Sequence, residues 1–585
     1  MNNINIRNIA IVAHVDHGKT TLVDALLKET IKTNKQIQTR AMDNLDLEKE
    51  RGITILSKNT AIYYNNVKIN ILDTPGHHDF GGEVERIMNM VDAICLVVDA
   101  NEGVMPQTKF VLEKALKANL QIIVVLNKMD REAIRPKQVI DEIYELFLSL
   151  NASDLQLDFP IIYASASEGI TSHKETMDDL KSMEPLLQTI IDYVNPPKVK
   201  EGSLQFQPAI LDYNDYVGRM GVGKVSRGKL TVNQMASVKR EEGIVNFRIQ
   251  KIYGFEGLNK VELKEADSGD IVAIAGLGDL TVGETVNDYN IIDPLPSITI
   301  QKPTIEMTFQ INTSPFAGLE GKFVTSSKLE ERLTKESQKD VSLVIEKINN
   351  DSWLVKGRGE LHLSILIETM KREGYEFAVS KPNVILIEED GIIKEPFEKV
   401  TISTPEKSLG SVIELFNSRK AQLIDLQTSQ NDSILIFEMP SKSLIGVKNT
   451  FLSLTYGEGI INHAFLEYRK EVSSNITRQF GSLVSINEGD ATAYALHRLE
   501  DRGTMFIEPK SRVYKGMIVG QTNKEFDMHV NVTQGKQLTN VRSATKDQTV
   551  VLRKARQMTL EMCMSYISDD ELIEITPKSI RLRKK

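Results

Sequence analysis

The stretch Ala13-His-Val-Asp-His-Gly-Lys-Thr20 is the most informative part of this 585-residue chain about the fold of its first segment. An apolar, β-branched run over residues 8–13 precedes it and predicts a buried strand. Residues 21–27, Thr-Leu-Val-Asp-Ala-Leu-Leu, follow it with helical spacing. A strand, a glycine-containing loop and a helix in this order are the context that a phosphate-binding loop requires, because loop and helix N–H groups can then point at one anion, although a chance match to this short motif is the alternative. The strict pattern has glycine where this chain has Ala13.

Polar groups of this loop are each expected to bind a particular part of a nucleoside triphosphate or its metal ion. Lys19 is expected to reach the β- and γ-phosphates, and the Thr20 hydroxyl is expected to hold Mg²⁺. The backbone N–H groups of the loop are expected to cradle the phosphate oxygens. The nucleotide-binding residues predicted here are Asp16, His17, Gly18, Lys19, Thr20 and Thr21.

A second predicted strand, residues 68–72, ends in Asp73-Thr-Pro-Gly-His77. In open α/β sheets, ligands bind at the carboxyl ends of the strands. Asp73 is therefore expected to bind Mg²⁺ through water, and the Gly76 N–H is expected to sense the γ-phosphate. The motif thus adds a carboxylate on the metal side and a phosphate sensor to the loop.

The segment Asp46-Leu-Glu-Lys-Glu-Arg-Gly-Ile-Thr-Ile55 lies between these two motifs. It can act as a switch loop that becomes ordered when the Thr54 hydroxyl completes the Mg²⁺ shell beside the γ-phosphate. The same residues also allow a charged helix followed by a strand. The two structures can belong to different nucleotide states.

The stretch Asn127-Lys-Met-Asp130 follows a third predicted strand, residues 122–126, and indicates which base is bound. The Asp130 carboxylate can accept guanine N1–H and N2–H₂ together, whereas adenine lacks this donor pair, so GTP is favoured over ATP. Asn127 is expected to brace the loop, and the Lys128 stem is expected to lie across the base. Alone, this motif is also typical of an ordinary surface turn.

A fourth strand end completes the order of motifs. Residues 160–164 predict a strand that leads into Ser165-Ala166, whose backbone is expected to contact guanine O6. Each of the four motifs lies at a strand end, with helices between them. This order indicates one GTP-binding α/β domain rather than four unrelated turns.

Composition narrows the class of protein further. The chain has 41% hydrophobic and 26% charged residues, and no run approaches the roughly 20 apolar residues of a membrane span. Its two cysteines, Cys95 and Cys563, exclude a disulfide framework and a zinc-ligand pair. Residues 1–13 lack the features of a signal peptide. We therefore expect a cytoplasmic location and no membrane partner.

Taken together, these motifs resemble the translational GTPases, the relatives of elongation factors Tu and G. Further stretches narrow the resemblance to the TypA/BipA family, and the last four of them lie beyond the nucleotide motifs. One departure is His78, which stands where alanine is usual. The stretches that carry the narrower resemblance are Phe80-Gly-Gly-Glu-Val-Glu-Arg86, Leu211-Asp-Tyr-Asn-Asp-Tyr-Val-Gly218, Asn312-Thr-Ser-Pro-Phe316, Gly357-Arg-Gly-Glu-Leu-His-Leu363 and Gly535-Lys-Gln-Leu-Thr-Asn-Val-Arg542.

The resemblance implies a catalytic role for His77, which would position the attacking water once ribosomal RNA orders it. It also implies that Val15 and Ile53 form an apolar gate that keeps this histidine from water in the resting state. A polar residue on a surface turn is the other interpretation of His77. The implied cofactor is Mg²⁺, bound together with GTP as the substrate.

Changes of pattern divide the chain into five predicted domains. The linker Asn195-Pro-Pro-Lys-Val-Lys-Glu-Gly202 ends the first, and glycine-containing turns between short β-rich runs then predict a β-barrel. Mixed strands and amphipathic helices follow, where the resemblance implies two ferredoxin-like domains. The predicted fold is multidomain α/β and β, with a P-loop G domain over 1–198, a β-barrel over 203–302, ferredoxin-like α+β domains over 303–395 and 396–471, and a family-specific C-terminal domain over 472–585.

The charge of the chain is uneven. Its net charge is −9, yet residues 472–585 contain 18 Lys and Arg against 13 Asp and Glu. A basic end on an acidic body fits an anionic partner, and a solvated charged surface is the alternative. The resemblance favours RNA, held through its phosphates rather than its base edges. The candidate RNA contacts are Lys536, Asn540, Arg542, Arg553, Lys554 and Arg556.

The favoured hypothesis, as the resemblance implies, is a ribosome-stimulated GTP hydrolase that binds near the A site and assists large-subunit assembly or stress-adapted translation. Its expected partners are the large subunit, ribosomal RNA and A-site tRNA, without DNA, and a monomer is expected. One alternative is a nucleotide-gated ribosome-binding scaffold in which hydrolysis only resets binding. Another is a general elongation factor of the G or LepA type. Little turnover is expected without an activator, because the loop region contains no arginine finger.

Overall fold

A computed structural model describes residues 5–30, 48, 50, 57–75, 81–178, 182–298, 300, 302–428, 432–472, 478–535 and 552–585. Contacts divide the chain into two compact units, residues 1–301 with 338–341 and residues 302–337 with 342–585. Each unit has its own sheets and its own hydrophobic cores.

The first unit begins with a sheet that is flanked by helices. Its strands in the described residues are β1 (Asn5–Ala13), β2 (Lys58–Tyr64), β3 (Val67–Asp73), β4 (Ala93–Asp99), β5 (Gln121–Asn127), β6 (Ile161–Ser165) and β7 (Ile170–Ser172). The helices are α1 (Lys19–Thr30), α2 (Gly81–Met88), α3 (Pro106–Lys117), α4 (Pro136–Ser149), α5 (Asp154–Leu157) and α6 (Glu184–Tyr193). The strand order is β2-β3-β1-β4-β5-β6-β7, in which the edge strands β2 and β7 are antiparallel to their neighbours and the others are parallel.

Strand β1 is buried on both faces, as its continuous apolar run requires. Ile9 and Ile11 belong to the core that contains α1 and α6, whereas Ala10 and Val12 belong to the core that contains α3 and α4. Parallel strands covered on both faces direct their carboxyl ends to one edge of the sheet. The four predicted nucleotide motifs all begin at this edge, after β1, β3, β5 and β6.

The rest of the first unit is antiparallel β structure, as the predicted β-barrel requires. Its strands are β8 (Gln205–Asn214), β9 (Gly218–Arg227), β10 (Lys229–Thr231), β11 (Met235–Arg240), β12 (Gly243–Arg248), β13 (Lys251–Glu256), β14 (Asn259–Leu263), β15 (Glu265–Asp267), β16 (Ile271–Ala275) and β17 (Val286–Asp288). Eight of them run in the order β12-β11-β17-β8-β9-β16-β13-β14, and β10 pairs with β15. Phe206, Val238 and Ile252 lie in the core of this part. Phe255 instead packs in the same core as Ile87 of α2.

The second unit contains a large mixed sheet. Its strands in the described residues are β18 (Ile305–Ile311), β19 (Val344–Asn349), β20 (Ser352–Gly357), β21 (Phe377–Val379), β22 (Asn383–Val384), β28 (Ser482–Ser485), β30 (Gly503–Met505), β32 (Met517–Thr522), β33 (Met528–Val530), β34 (Glu571–Ile575) and β35 (Ile580–Lys584). The helices beside it are α7 (Ser326–Lys339), α8 (Glu360–Arg372), α12 (Ala493–Leu499) and α13 (Leu560–Tyr566), and a small pair is formed by β29 (Gly489–Asp490) and β31 (Arg512–Val513).

A separate five-stranded sheet completes the second unit. It consists of β23 (Ile387–Glu389), β24 (Ile392–Pro405), β25 (Gln422–Thr428), β26 (Asp432–Pro440) and β27 (Ile460–Lys470). Helices α9 (Leu409–Ser418), α10 (Ser441–Leu444) and α11 (Val447–Leu454) accompany it, with a 3₁₀ turn at Glu406–Ser408. Val400, Phe416 and Phe437 form the centre of its core.

The large sheet crosses a predicted domain boundary. Its order is β19-β20-β18-β21-β34-β35-β32-β28-β33, so β21 of the segment 303–395 pairs antiparallel with β34 of the segment 472–585. Phe309 and Trp353 share one core with Leu560 and Ile573. The fold class predicted from the sequence is confirmed, whereas the five exact domain boundaries stay predictions.

Neither a membrane-spanning helix nor a cluster of metal-binding side chains occurs among the described residues. No helix within the described ranges is long and apolar enough to cross a membrane. The same part of the chain holds no group of three or more His, Cys, Asp or Glu side chains that could bind a metal ion.

Candidate nucleotide-binding site

The loop after β1 makes a tight turn before α1 begins at Lys19. Asp16 and Gly18 both have a positive φ, of 63° and 93°. A Cβ atom at Gly18 would lie 2.3 Å from Nδ2 of Asn127, so no larger residue fits there without moving the neighbouring loop. Thr20 and Thr21 follow in the first turn of α1 and are partly exposed.

Asn127 joins three of the predicted motifs. Its Nδ2 donates a hydrogen bond to the carbonyl oxygen of His17 at 2.9 Å, and its Oδ1 accepts one from the Ala166 N–H at 3.0 Å. The Asn127 side chain is buried, so these bonds are protected from water. The Ala166 N–H, one of the backbone groups predicted to contact guanine O6, is therefore already bonded to Asn127 in this structure.

Asp130 has the exposure that a base-reading carboxylate needs. It lies at the surface of the loop after β5. The Ser165 hydroxyl donates to its Oδ1 at 2.8 Å, and the Ser167 hydroxyl lies 3.5 Å from its Oδ2. The Met129 N–H bonds the Ala164 carbonyl and holds the same loop against β6. Ser165, for which only a backbone contact was expected, therefore also restrains Asp130 through its hydroxyl.

Lys19 and Asp73 meet at the ends of α1 and β3. They form a buried ion pair, which joins the phosphate loop to the predicted metal-side carboxylate. The Thr74 hydroxyl bonds the Ile11 carbonyl and fixes the turn after Asp73. The Asp73 carboxylate at the end of β3 and the hydroxyl of Thr20, which follows Lys19 in α1, are hard oxygen donors of the kind that Mg²⁺ prefers, so the residues present fit this ion.

The His17 ring points into the protein rather than towards a ligand. It is fully buried, and its Nδ1 accepts a hydrogen bond from the Asp99 N–H at 3.2 Å. Its Nε2 lies 3.4 Å from a Glu102 carboxylate oxygen. His17 can therefore contribute only main-chain groups to a nucleotide.

Val15, the gate candidate, donates its N–H to Oε1 of Gln107 on α3 at 3.2 Å.

Asp99, which none of the sequence motifs includes, ends β4 at the same edge of the sheet. Its carboxylate is fully buried and lies 2.6 Å from Lys128 Nζ. Burial acts to raise the pKa of Asp99, but hydrogen bonds from Lys128 and from backbone N–H groups outweigh it, so the pKa lies below its ordinary value. A signal was present, because Asp99, like Asp73, is a carboxylate directly after a buried strand.

Several predicted residues lie outside the described part of the chain. Among the described RNA candidates, Arg553, Lys554 and Arg556 have exposed side chains. The Arg553 N–H bonds a Glu500 carboxylate oxygen at 2.6 Å, and the Arg556 N–H bonds the Met505 carbonyl at 2.8 Å. The predicted residues outside the described ranges are Ile53, Thr54, Gly76, His77, Lys536, Asn540 and Arg542.

Comparison with family models assigns most of the chain to translation-factor domains. Residues 4–196 match the elongation factor Tu GTP-binding domain, and residues 209–289 match elongation factor G domain 2. Residues 392–479 match the elongation factor G C-terminus, and residues 480–585 match the TypA/BipA C-terminal domain. The sheet edge, the phosphate loop and the guanine loop described above all lie within the first match, so the class is that of the translational GTPase domains.

Relatives match almost the whole chain, and a solved structure shares its fold. The chain is 55% identical to the large ribosomal subunit assembly factor BipA of Bacillus subtilis, over 99% of this chain and 96% of that protein. It is 49% identical to the Synechocystis protein of the same name, over 99% and 98%. A crystal structure from Thermus thermophilus, 16% identical, superposes with a TM-score of 0.55 over 80% of this chain and 98% of that one, and shows a shared fold. The chain belongs to the TypA/BipA family.

Proposed function

We propose that this protein binds GTP with Mg²⁺ at the edge of the first sheet and hydrolyses it to GDP and phosphate. The observation that carries the proposal is the position of Asn127, which ties the phosphate loop to the guanine loop through His17 and Ala166. Asp130 meanwhile keeps an exposed carboxylate that Ser165 orients. This arrangement supports recognition of a phosphate chain at one end and of guanine at the other.

The protein's own groups have distinct tasks in this proposal. Lys19 and the loop N–H groups hold the phosphates, Asp130 reads the guanine edge, and the Lys128 stem covers the base. Thr20, Thr54 and Asp73 would hold Mg²⁺, which when bound neutralises charge on the β- and γ-phosphates. His77 positions the attacking water, and Val15 with Ile53 gates that histidine.

The ribosome is the proposed partner. The relatives are named large ribosomal subunit assembly factors, which supports the large subunit as the surface that stimulates hydrolysis. Arg553, Lys554 and Arg556 offer exposed positive charge for ribosomal RNA phosphates. We place the protein with ribosomes in the cytoplasm, as a monomer that binds near the A site beside tRNA and assists assembly or stress-adapted translation.

The test is GTP hydrolysis by the purified protein with and without ribosomes, for the unaltered chain and for His77→Ala. We expect strong stimulation by ribosomes that His77→Ala removes while GTP binding persists, because the histidine acts on water and not on the nucleotide. His78→Ala, the adjacent histidine, is the matched control and should keep stimulated turnover. GTP binding without any stimulation would refute the hydrolase proposal and support the nucleotide-gated scaffold.

A further inference from the structure

Asp99 brings two cations to one buried carboxylate. Its side chain is fully buried at the end of β4, where Lys128 Nζ lies 2.6 Å and an Arg131 guanidinium nitrogen 3.4 Å from Oδ2. Its Oδ1 accepts the Asn101 N–H at 2.8 Å. A buried carboxylate held by a lysine and by backbone donors is a strong, directional anchor.

Lys128 needs such an anchor. Its φ of 66° lies in the left-handed region, which is uncommon for a residue with a side chain. The side chain is mostly buried, and its ammonium group ends on Asp99. A four-carbon stem has many rotamers, so fixing the ammonium at one end selects the path of the stem. Lys128 is the residue whose stem is proposed to cover the base, so the ion pair with Asp99 determines where that stem lies.

The main chain around Asp99 reaches both nucleotide loops. The Asp99 N–H donates to His17 Nδ1 at 3.2 Å, which holds the phosphate loop. The next N–H, of Ala100, donates to the Asn127 carbonyl at 2.9 Å, which holds the guanine loop. The end of β4 therefore lies between the two loops that must keep one nucleotide at a fixed distance.

We propose that Asp99 is a positioning residue of the guanine nucleotide site, whose carboxylate sets the Lys128 side chain in its place across the base. The inference rests on the proposed function, because it assumes that Lys128 covers a guanine. The carboxylate acts on GTP and GDP alike, since both carry the same base. It leaves the chemical step unchanged, because it touches neither the γ-phosphate nor the attacking water.

The test is a double-mutant cycle on nucleotide affinity, with fluorescent GTP and GDP analogues titrated into the full-length protein. Asp99→Asn keeps the shape of the side chain and removes its charge, and we expect both dissociation constants to rise about tenfold. In a Lys128→Met background, Asp99→Asn should cause no further loss, because the carboxylate acts through the lysine. Ribosome-stimulated turnover of Asp99→Asn should show a raised KM with an unchanged kcat.

Asp92 provides the matched control at the other end of β4. Its carboxylate also binds a lysine, Lys224, at 2.7 Å, but in contact with the antiparallel part of the unit. Asp92→Asn should therefore leave nucleotide affinity unchanged. If Asp99→Asn alone fails to fold, the nucleotide affinities of Lys128→Met and of the double variant still test the inference. Neither of these variants contains a lysine ammonium that lacks its carboxylate partner.

Two results would overturn the inference while the proposed function stands. One is an unchanged affinity in Asp99→Asn, and the other is a full additional loss in the Lys128→Met background, which would mean that Asp99 acts without Lys128. If the unaltered protein binds neither GTP nor GDP, the proposed function fails as well, so the two failures are distinguishable.

Discussion

Gly18 is the residue at which the phosphate loop has least freedom. Its φ is 93°, and a Cβ atom at this position would lie 2.3 Å from Asn127 Nδ2, so a side chain here requires a strained backbone and a shift of Asn127. The glycine thus lets two loops approach until Asn127 can bond the His17 carbonyl. Asp130 has a different requirement from the closely packed Gly18. Its carboxylate must stay exposed to reach a base, while the Ser165 hydroxyl restrains it.

Gly18→Ala is expected to weaken binding of GTP and GDP by about tenfold or more, since the strained φ costs roughly 1–3 kcal/mol and the methyl group displaces Asn127. Titration with a fluorescent guanine nucleotide measures the change. Gly169→Ala is the control, because Gly169 has a similar φ of 72° and open space around its Cβ position. Equal effects of the two substitutions would show that backbone strain alone, and not the contact with Asn127, governs binding.

Asp130→Asn is expected to weaken GTP binding roughly a hundredfold and to shift preference towards xanthosine triphosphate. The amide no longer accepts both guanine N–H groups, and its NH₂ can donate to the xanthine O2. Competition binding between the two triphosphates measures the shift. Ser167→Ala, at the long 3.5 Å contact, should change little. An unchanged guanine preference in Asp130→Asn would contradict the assigned role.

At the scale of elements, β3 has two functions in the first unit. It ends at Asp73, and along its length it joins the antiparallel part through polar contacts. Lys68 Nζ lies 2.7 and 2.8 Å from the two Asp270 carboxylate oxygens, and Asn70 donates to Asp270 at 3.1 Å. Because Lys68 is almost fully buried, this pair fixes the strand that carries the metal-side carboxylate.

Asp270→Ala is expected to lower the free energy of unfolding of the first unit by about 3–5 kcal/mol, because it leaves the Lys68 ammonium buried without a counter-charge. Urea denaturation monitored by circular dichroism measures the loss. Glu265→Ala removes the acceptor of an exposed pair with Lys229 and should change the stability far less, because water solvates both charges there. Similar losses in both variants would argue against a buried pair at Lys68.

At the scale of the whole molecule, one sheet and a buried carboxylate join the segments 303–395 and 472–585 of the second unit. Glu574 on β34 is fully buried and accepts hydrogen bonds from Asn312 at 3.0 Å, from Ser314 at 3.0 Å and from Tyr514 at 2.6 Å. Burial, together with the neighbouring Glu574 carboxylate, raises the pKa of Tyr514, so its hydroxyl stays a donor. The segments 303–395 and 472–585 therefore depend on each other.

The fragment 302–585 is expected to unfold cooperatively, whereas the fragment 480–585 alone is expected to lack fixed side-chain packing. The shorter fragment loses the β21 partner of β34 and exposes the apolar residues that pack on Phe309 and Trp353. Near-ultraviolet circular dichroism and binding of a hydrophobic dye measure the difference. A cooperative thermal transition in the fragment 480–585 would show that this segment is an independent domain.

Much of the first unit could be predicted because its signals are local. The β-branched run before residue 13 and the helical spacing after Lys19 place a loop between a strand and a helix without reference to the rest of the chain. Asp73 and Asp130 could be chosen because each follows a buried strand. Asp99 carries the same signal but no recognisable motif, so its partner Lys128 became visible only when the strands were assembled.

The class of site can be predicted from short stretches of sequence, since the phosphate loop, the metal-side carboxylate and the guanine loop each occupy a few consecutive residues. Three other contacts depend on how the chain folds: Asn127 bonds His17, Lys68 is buried against Asp270, and β21 pairs with β34. These contacts join residues far apart in the chain. A strand's own residues set its periodicity, but its partner is selected by the apolar area and polar groups buried across the whole unit.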